Sequence, residues 1–257
     1  MDMTLDQGYS ENGYCLVKHF IHGAELVALR EIALRFHASW ITTNQAFYRR
    51  RAVNAAYLTN GEHINEVDRL TLFKLIASKQ LQLQIQKVFG QSPAFMNTQL
   101  FFNPNNKKQK NYWHRDSQYH LNIEQQERAL QGADVVHFRI ALNDEPGIEV
   151  VPKSHKNWDT EEELSVRMQT NRRVNSDELS SGRLIPLHAG DLLIFSANMI
   201  HRGVYGLDRL SLDILLCDAV PELLEFAQED CLPQSEVSKY LPHPEVFELT
   251  RKLKNNH

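Results

Sequence analysis

Alternating apolar and polar positions predict three long strands in this chain. In Phe95–Asn103, Thr98, Leu100 and Phe102 share one face, and Asn97, Gln99, Phe101 and Asn103 share the other. In Val135–Leu142 the apolar face is Val136, Phe138, Ile140 and Leu142, opposite Val135, His137, Arg139 and Ala141. In Arg209–Cys217, Leu210, Leu212, Ile214 and Leu216 oppose Arg209, Ser211, Asp213, Leu215 and Cys217. A short strand, Tyr14–Val17, opens the chain. Helical spacing of Glu25, Leu26, Leu29, Ile32, Ala33 and Phe36 follows it, and a second helix is expected over Thr71–Val88, stopping before Gly90. Pro221 and Pro244 each start a helical stretch, to pack on the sheet or to build a dimer contact.

Each long strand therefore has one apolar and one polar-bearing face. An ordinary half-exposed antiparallel sheet gives that pattern. So does a sandwich whose apolar faces lie under helices while the polar faces line a cavity. His114, Asp116 and Arg209 belong on the same inner faces, which favours the sandwich. The expected fold is mainly β with flanking helices.

At 257 residues the chain is long enough for one domain with a full core, expected over residues 1–257. Its net charge of −4 argues against general nucleic-acid or membrane affinity. Cys15, Cys217 and Cys231 are widely spaced and odd in number, which fits a reducing compartment. Met1–Asp6 is acidic and carries no apolar signal segment, and Lys254–His257 is not a peroxisomal address. The expectation is a cytoplasmic enzyme, monomer or homodimer, acting on a small molecule.

The candidate chemistry lies in two segments, Tyr112-Trp113-His114-Arg115-Asp116 and His201 through Arg209. On a strand, His114 and Asp116 point the same way and can bind one metal ion. With His201 they form a triad of two imidazoles and a carboxylate, which suits iron(II) and leaves positions open for 2-oxoglutarate and dioxygen. Zinc tolerates the same ligands. The chain has 12 histidines, so a lone His-x-Asp is a weak signal. His120 is a rival ligand if the strand continues, and His137, His155 and His188 are further candidates. Gly190-Asp191 is a turn signal before an apolar strand that runs towards His201. Arg209 and Ser211 follow on one face. A guanidinium can hold the distal carboxylate of 2-oxoglutarate by a bidentate pair, and Ser211 can add a hydroxyl. The competing role for Arg209 is a surface ion pair with Asp208 or Glu149.

These segments resemble the phytanoyl-CoA dioxygenase family of iron(II)/2-oxoglutarate oxygenases, over Gly13 to about Asp218. Asn12–Val17 is similar to the family's opening strand, Trp113–Asp116 to its metal motif, and Gly147–His155 to its Gly-x-x-x-Val-Pro-Gly-Ser-His segment. Gly190-Asp191 through His201 resembles its closing strand pair. The resemblance implies a double-stranded β-helix (jelly-roll, cupin-like) core with helices on one side. It implies iron(II) held by His114, Asp116 and His201, 2-oxoglutarate as cosubstrate, and a structural His155. Lys153 stands where the family has Gly, and the interval from His201 to Arg209 is slightly short. Arg139 replaces an aromatic residue near the cosubstrate. It is either a second anchor for cosubstrate or anionic substrate, or a partner for Asp213, and a pocket containing both would suit a small zwitterion. Gln99 is a further candidate cosubstrate contact. Asp116 argues against a halogenase, and Leu215 stands where a nucleic-acid demethylase would carry a second Arg. The expected reaction is hydroxylation of a small metabolite with release of succinate and carbon dioxide. Desaturation, epimerisation and a non-catalytic metal-binding role are the alternatives.

Overall fold

Nine strands form two sheets in the computed structural model, which describes residues 5–255. They are β1 (Tyr14–Val17), β2 (Asn54–Ala56), β3 (Ala94–Phe102), β4 (Val135–Ala141), β5 (Glu145–Val150), β6 (Arg183–Leu187), β7 (Leu192–Ser196), β8 (His201–Gly203) and β9 (Leu210–Cys217). The larger sheet has the order β1-β7-β4-β9-β3-β2, and the smaller one β6-β5-β8; every pairing is antiparallel. Helices flank a jelly-roll core, as expected. The readings of the termini as carrying no signal segment and no peroxisomal address fall in part on Met1–Thr4 and the last two residues, which lie outside the described residues.

The apolar strand faces pack under the helices. Val136, Phe138, Ile140, Leu210, Leu212, Ile214 and Leu216 join Leu29, Ile32 and Phe36 of the helix Gly23–Thr43 in one buried cluster. The opposite faces turn inward, towards the smaller sheet. Cross-strand register there aligns Gln99, Asp213 and Arg139 in one row, and Phe101, Ser211 and Ala141 in the next. The sandwich reading therefore holds.

Two expected elements differ, and the last helix takes the first of its two expected placements. The helix over Thr71–Val88 is two helices, Glu66–Ile76 and Lys79–Val88, because Ser78 stops one and caps the next by accepting a hydrogen bond from the Leu81 N–H at 3.1 Å. The last helix, Glu245–Lys254, packs on the sheet: Phe247 sits 5.0 Å from the Phe95 ring, and the Thr250 hydroxyl donates to the Phe95 carbonyl. His201 does not end the strand that follows Gly190-Asp191. It opens β8 in the other sheet, after a turn through Ala197–Ile200. Among the described residues no helix is long and apolar enough to cross a membrane.

Candidate metal centre and cosubstrate anchor

His114 is not on a regular strand. It forms an isolated antiparallel bridge to His201, exchanging both backbone hydrogen bonds at 3.0 and 2.9 Å. Directly opposed residues in such a pair send their side chains to the same face, so the two imidazoles lie side by side, 4.3 Å between centroids. Val150 of β5 holds His201 from the other side. Asp116 then starts a single 3-10 turn, Asp116–Tyr119, and its N–H is tied to the Ala197 carbonyl just past β7. The turn explains why His120 is not a rival: it is exposed, against Phe226. His188 is exposed beside Asp144.

The ligating atoms of His114, Asp116 and His201 lie within 4.8 Å of one another. Asp116 Oδ1 is 3.4 Å from His114 Nε2 and 3.5 Å from His201 Nε2. The Nδ1 atoms of His114 and His201 face the Tyr112 and Met199 carbonyls at 3.1 and 3.0 Å. A carbonyl only accepts, so each Nδ1 carries the proton and each Nε2 presents a lone pair. Burial, with His114 close by, pushes the His201 pKa down to about 3, so its ring is neutral and ready to ligate. These residues fit a divalent metal with two imidazole nitrogens and one carboxylate oxygen.

The second Asp116 oxygen has its own partner. His137 Nε2 binds Asp116 Oδ2 at 2.9 Å, and His137 Nδ1 binds Asp213 Oδ2 at 2.9 Å. Arg139 completes the chain with a bidentate pair to Asp213 at 2.7 and 2.8 Å. Burial lowers the pKa of His137, but the two carboxylates outweigh it and hold it at about 9. Of the two roles weighed for Arg139, the structure shows the ion pair. Its guanidinium lies between Phe101 and Phe195, 4.2 and 5.2 Å from their ring centroids. Because Arg139 and Asp213 satisfy each other, the zwitterion pocket imagined from them loses both its charges. Gln99 lies beside this pair, half-buried, with Asn54 Nδ2 at 3.4 Å.

Arg209 is buried, not on the surface, and neither expected partner holds it. Glu149 pairs with Arg202 instead. The nearest carboxylate is Glu145, whose Oε2 is 3.6 Å from Arg209 Nε. Among the described residues, Arg209 Nε, Ser211 Oγ and both Glu145 oxygens have no hydrogen-bond partner. Four orphaned polar atoms at one buried spot form a cradle for a polar ligand. Gly203 makes room for the Arg209 guanidinium: a Cβ there would stand 2.5 Å from Arg209 Nη2. Glu145 and Gly203 were not singled out from the sequence. Glu145 precedes Pro146-Gly147 and reads as part of a turn, and nothing local marks either residue.

Arg115 and Trp113 support the motif from behind. Arg115 is fully buried and donates to Asp159 Oδ1 at 3.0 and 2.7 Å and to the Ser154, Asn157 and Asn198 carbonyls. Trp113 is also fully buried and donates to the Asp177 carbonyl at 3.0 Å. His155 packs against Gly13 and is not among the converging ligand atoms of His114, Asp116 and His201.

A jelly roll with two histidines and one carboxylate converging between its sheets defines a candidate mononuclear metal centre of the facial-triad class. The chain belongs to the phytanoyl-CoA dioxygenase (PhyH) family, whose model matches residues 9–204. That family depends on iron(II), 2-oxoglutarate and dioxygen, and oxygenase-type chemistry comes with membership. Similar solved structures include EctD from S. alaskensis, at TM-score 0.60 and 13% identity over 85% of this chain and 78% of that one. HygX from Streptomyces hygroscopicus, solved with nickel and 2-oxoglutarate, gives TM-score 0.59 and 13% identity over 85% and 87%. The 2-oxoglutarate-dependent epimerase SnoN of nogalamycin biosynthesis gives 0.52 and 16% over 85% and 84%. At these identities the likeness establishes the fold. No curated protein matches the chain.

Proposed function

We propose that this protein is an iron(II)- and 2-oxoglutarate-dependent oxygenase that hydroxylates a small-molecule metabolite. The observation that carries the reading is the pairing of two prepared sites: the converged triad His114, Asp116 and His201, and the buried, unsatisfied Arg209–Ser211 cradle. Bound there, iron(II) and 2-oxoglutarate would supply oxidation of a substrate C–H bond by dioxygen, with release of succinate and carbon dioxide. The chain's own residues position and insulate. His114 and His201 offer Nε2 because their Nδ1 protons are held by main-chain carbonyls. His137 occupies one Asp116 oxygen and so leaves the other for the metal. Arg209 and Ser211 take the distal carboxylate of the cosubstrate. Phe101 and Phe195 keep that side apolar, which strengthens the ionic contacts. Tyr112 and Tyr119, joined by a 3.0 Å hydroxyl contact, flank His114 on the half-exposed side, where a substrate would enter.

The test is conversion of 2-oxoglutarate to succinate by the iron-loaded protein in air. Slow succinate formation that a metabolite pool accelerates, and that Asp116→Ala abolishes, supports the reading. Succinate no higher than in a metal-free control overturns it. Product analysis then separates hydroxylation from desaturation or epimerisation.

A further inference from the structure

Glu145 opens β5 and is buried to 3% exposure. The groups facing it come from three elements. Arg209 and Ser211 approach from β9 and its lead-in, Asp213 from deeper on β9, and Arg139 from β4. Tyr205, on the turn before β9, is the other neighbour of Arg209, at 5.7 Å from its ring centroid. Arg139 is already neutralised by Asp213 in a bidentate pair. Among the described residues Arg209 is thus the one cation left to serve Glu145, and at 3.6 Å the two make no hydrogen bond.

A distal carboxylate delivered to Arg209 and Ser211 changes this balance. Two carboxylates would then face one guanidinium in a site shielded from water. Like charges at such a place do not both remain ionised. The relief is a proton: a carboxylic acid has an O–H to donate, and the incoming carboxylate has lone pairs to accept it. Resting on the cosubstrate reading above, we propose that Glu145 is a third binding residue for the distal carboxylate of 2-oxoglutarate. In the bound state it carries a proton taken from solvent and donates it as an O–H···O hydrogen bond, so binding consumes one proton. Burial independently pushes the Glu145 carboxyl above its ordinary range, against the pull of the Arg209 and Arg139 charges.

The experiment is calorimetric titration of the manganese(II)-loaded protein with 2-oxoglutarate between pH 6.5 and 8.5, in buffers of different ionisation enthalpy. At pH 8.5 the wild type should take up about one proton per cosubstrate bound, and its Kd should rise about tenfold per pH unit once Glu145 is ionised in the free protein. Glu145→Gln, which is nearly isosteric, should bind with no proton uptake and a flat Kd. Binding by the wild type without proton uptake at pH 8.5 overturns the role of Glu145 and leaves the cosubstrate reading standing, whatever the variant does. An equal pH slope in wild type and variant overturns it too. No binding at any pH overturns the cosubstrate reading itself, and this proposal with it.

Discussion

Replacing Asp159 by alanine leaves two buried guanidinium groups without the carboxylate they pair with. The side chains of Arg115, Asp159 and Arg167 are all fully buried. One Asp159 oxygen accepts two bonds from Arg115 and the other accepts one from Arg167, at 2.8 Å. Breaking a buried pair by removing one partner costs roughly 3–5 kcal/mol. Arg115 would keep three main-chain acceptors, and Arg167 would keep Gln118 and Gln126. Those bonds offset part of the loss, so about 3 kcal/mol is expected. For a chain of this size, that is a fall in Tm of about 6–12 °C. Arg115 lies between two triad residues, so manganese(II) affinity should fall at least tenfold as well. Thermal denaturation by circular dichroism and a metal titration of the folded variant read the two effects. A Tm drop under about 2 °C with unchanged metal affinity would show that main-chain carbonyls alone hold Arg115, and would refute the reasoning.

Other substitutions test other parts of the account. Gly203→Ala puts a methyl group 2.5 Å from Arg209 Nη2; it should weaken 2-oxoglutarate binding about tenfold or more, with metal affinity unchanged, in an anaerobic titration. Lys153 holds a left-handed backbone, φ 70°, where the family pattern has Gly. Lys153→Gly relieves roughly 1–2 kcal/mol of strain and returns roughly 0.4–1 kcal/mol of it as unfolded-chain entropy; a small gain in denaturation midpoint is expected, and a loss would contradict it. Burial pushes the His155 pKa down to about 4, so the unfolded chain binds a proton there before the folded one does. Its contribution is full above about pH 6.5 and is lost as pH falls towards 4, on the order of 3 kcal/mol. His155→Gln should flatten that part of the apoprotein's stability curve, and an unchanged curve would assign the acid sensitivity elsewhere.

The two-residue periods of β3, β4 and β9 were legible in the sequence because each strand has one face on the helices and the other on the interior. That contrast marks the fold and the strand faces that carry the site residues. The smaller sheet was harder to see. β8 is three residues long, and the His114 bridge is a single pair, too short for any period to show. The candidate triad was nonetheless legible, because the Trp-His-x-Asp segment, the distal His201 and the following Arg209 together resemble a family pattern, although a lone His-x-Asp among 12 histidines is weak. What escaped were the partners. Glu145 meets Arg209, and Asp159 meets Arg115, only through the packing of strands and loops far apart in sequence. Arg139 and Asp213 were seen as possible partners, since both lie on inner faces. Their choice of each other over a ligand depends on cross-strand register, which places them directly opposite.

The central claim is that one site holds both metal and cosubstrate. Anaerobic titration of the apoprotein with iron(II) and 2-oxoglutarate tests it most directly, through the weak visible metal-to-ligand charge-transfer band. A band is expected that needs both additions, disappears in His201→Ala, and in Arg209→Ala forms only at much higher 2-oxoglutarate. A folded, metal-bound protein that gives no band at any 2-oxoglutarate concentration would contradict it.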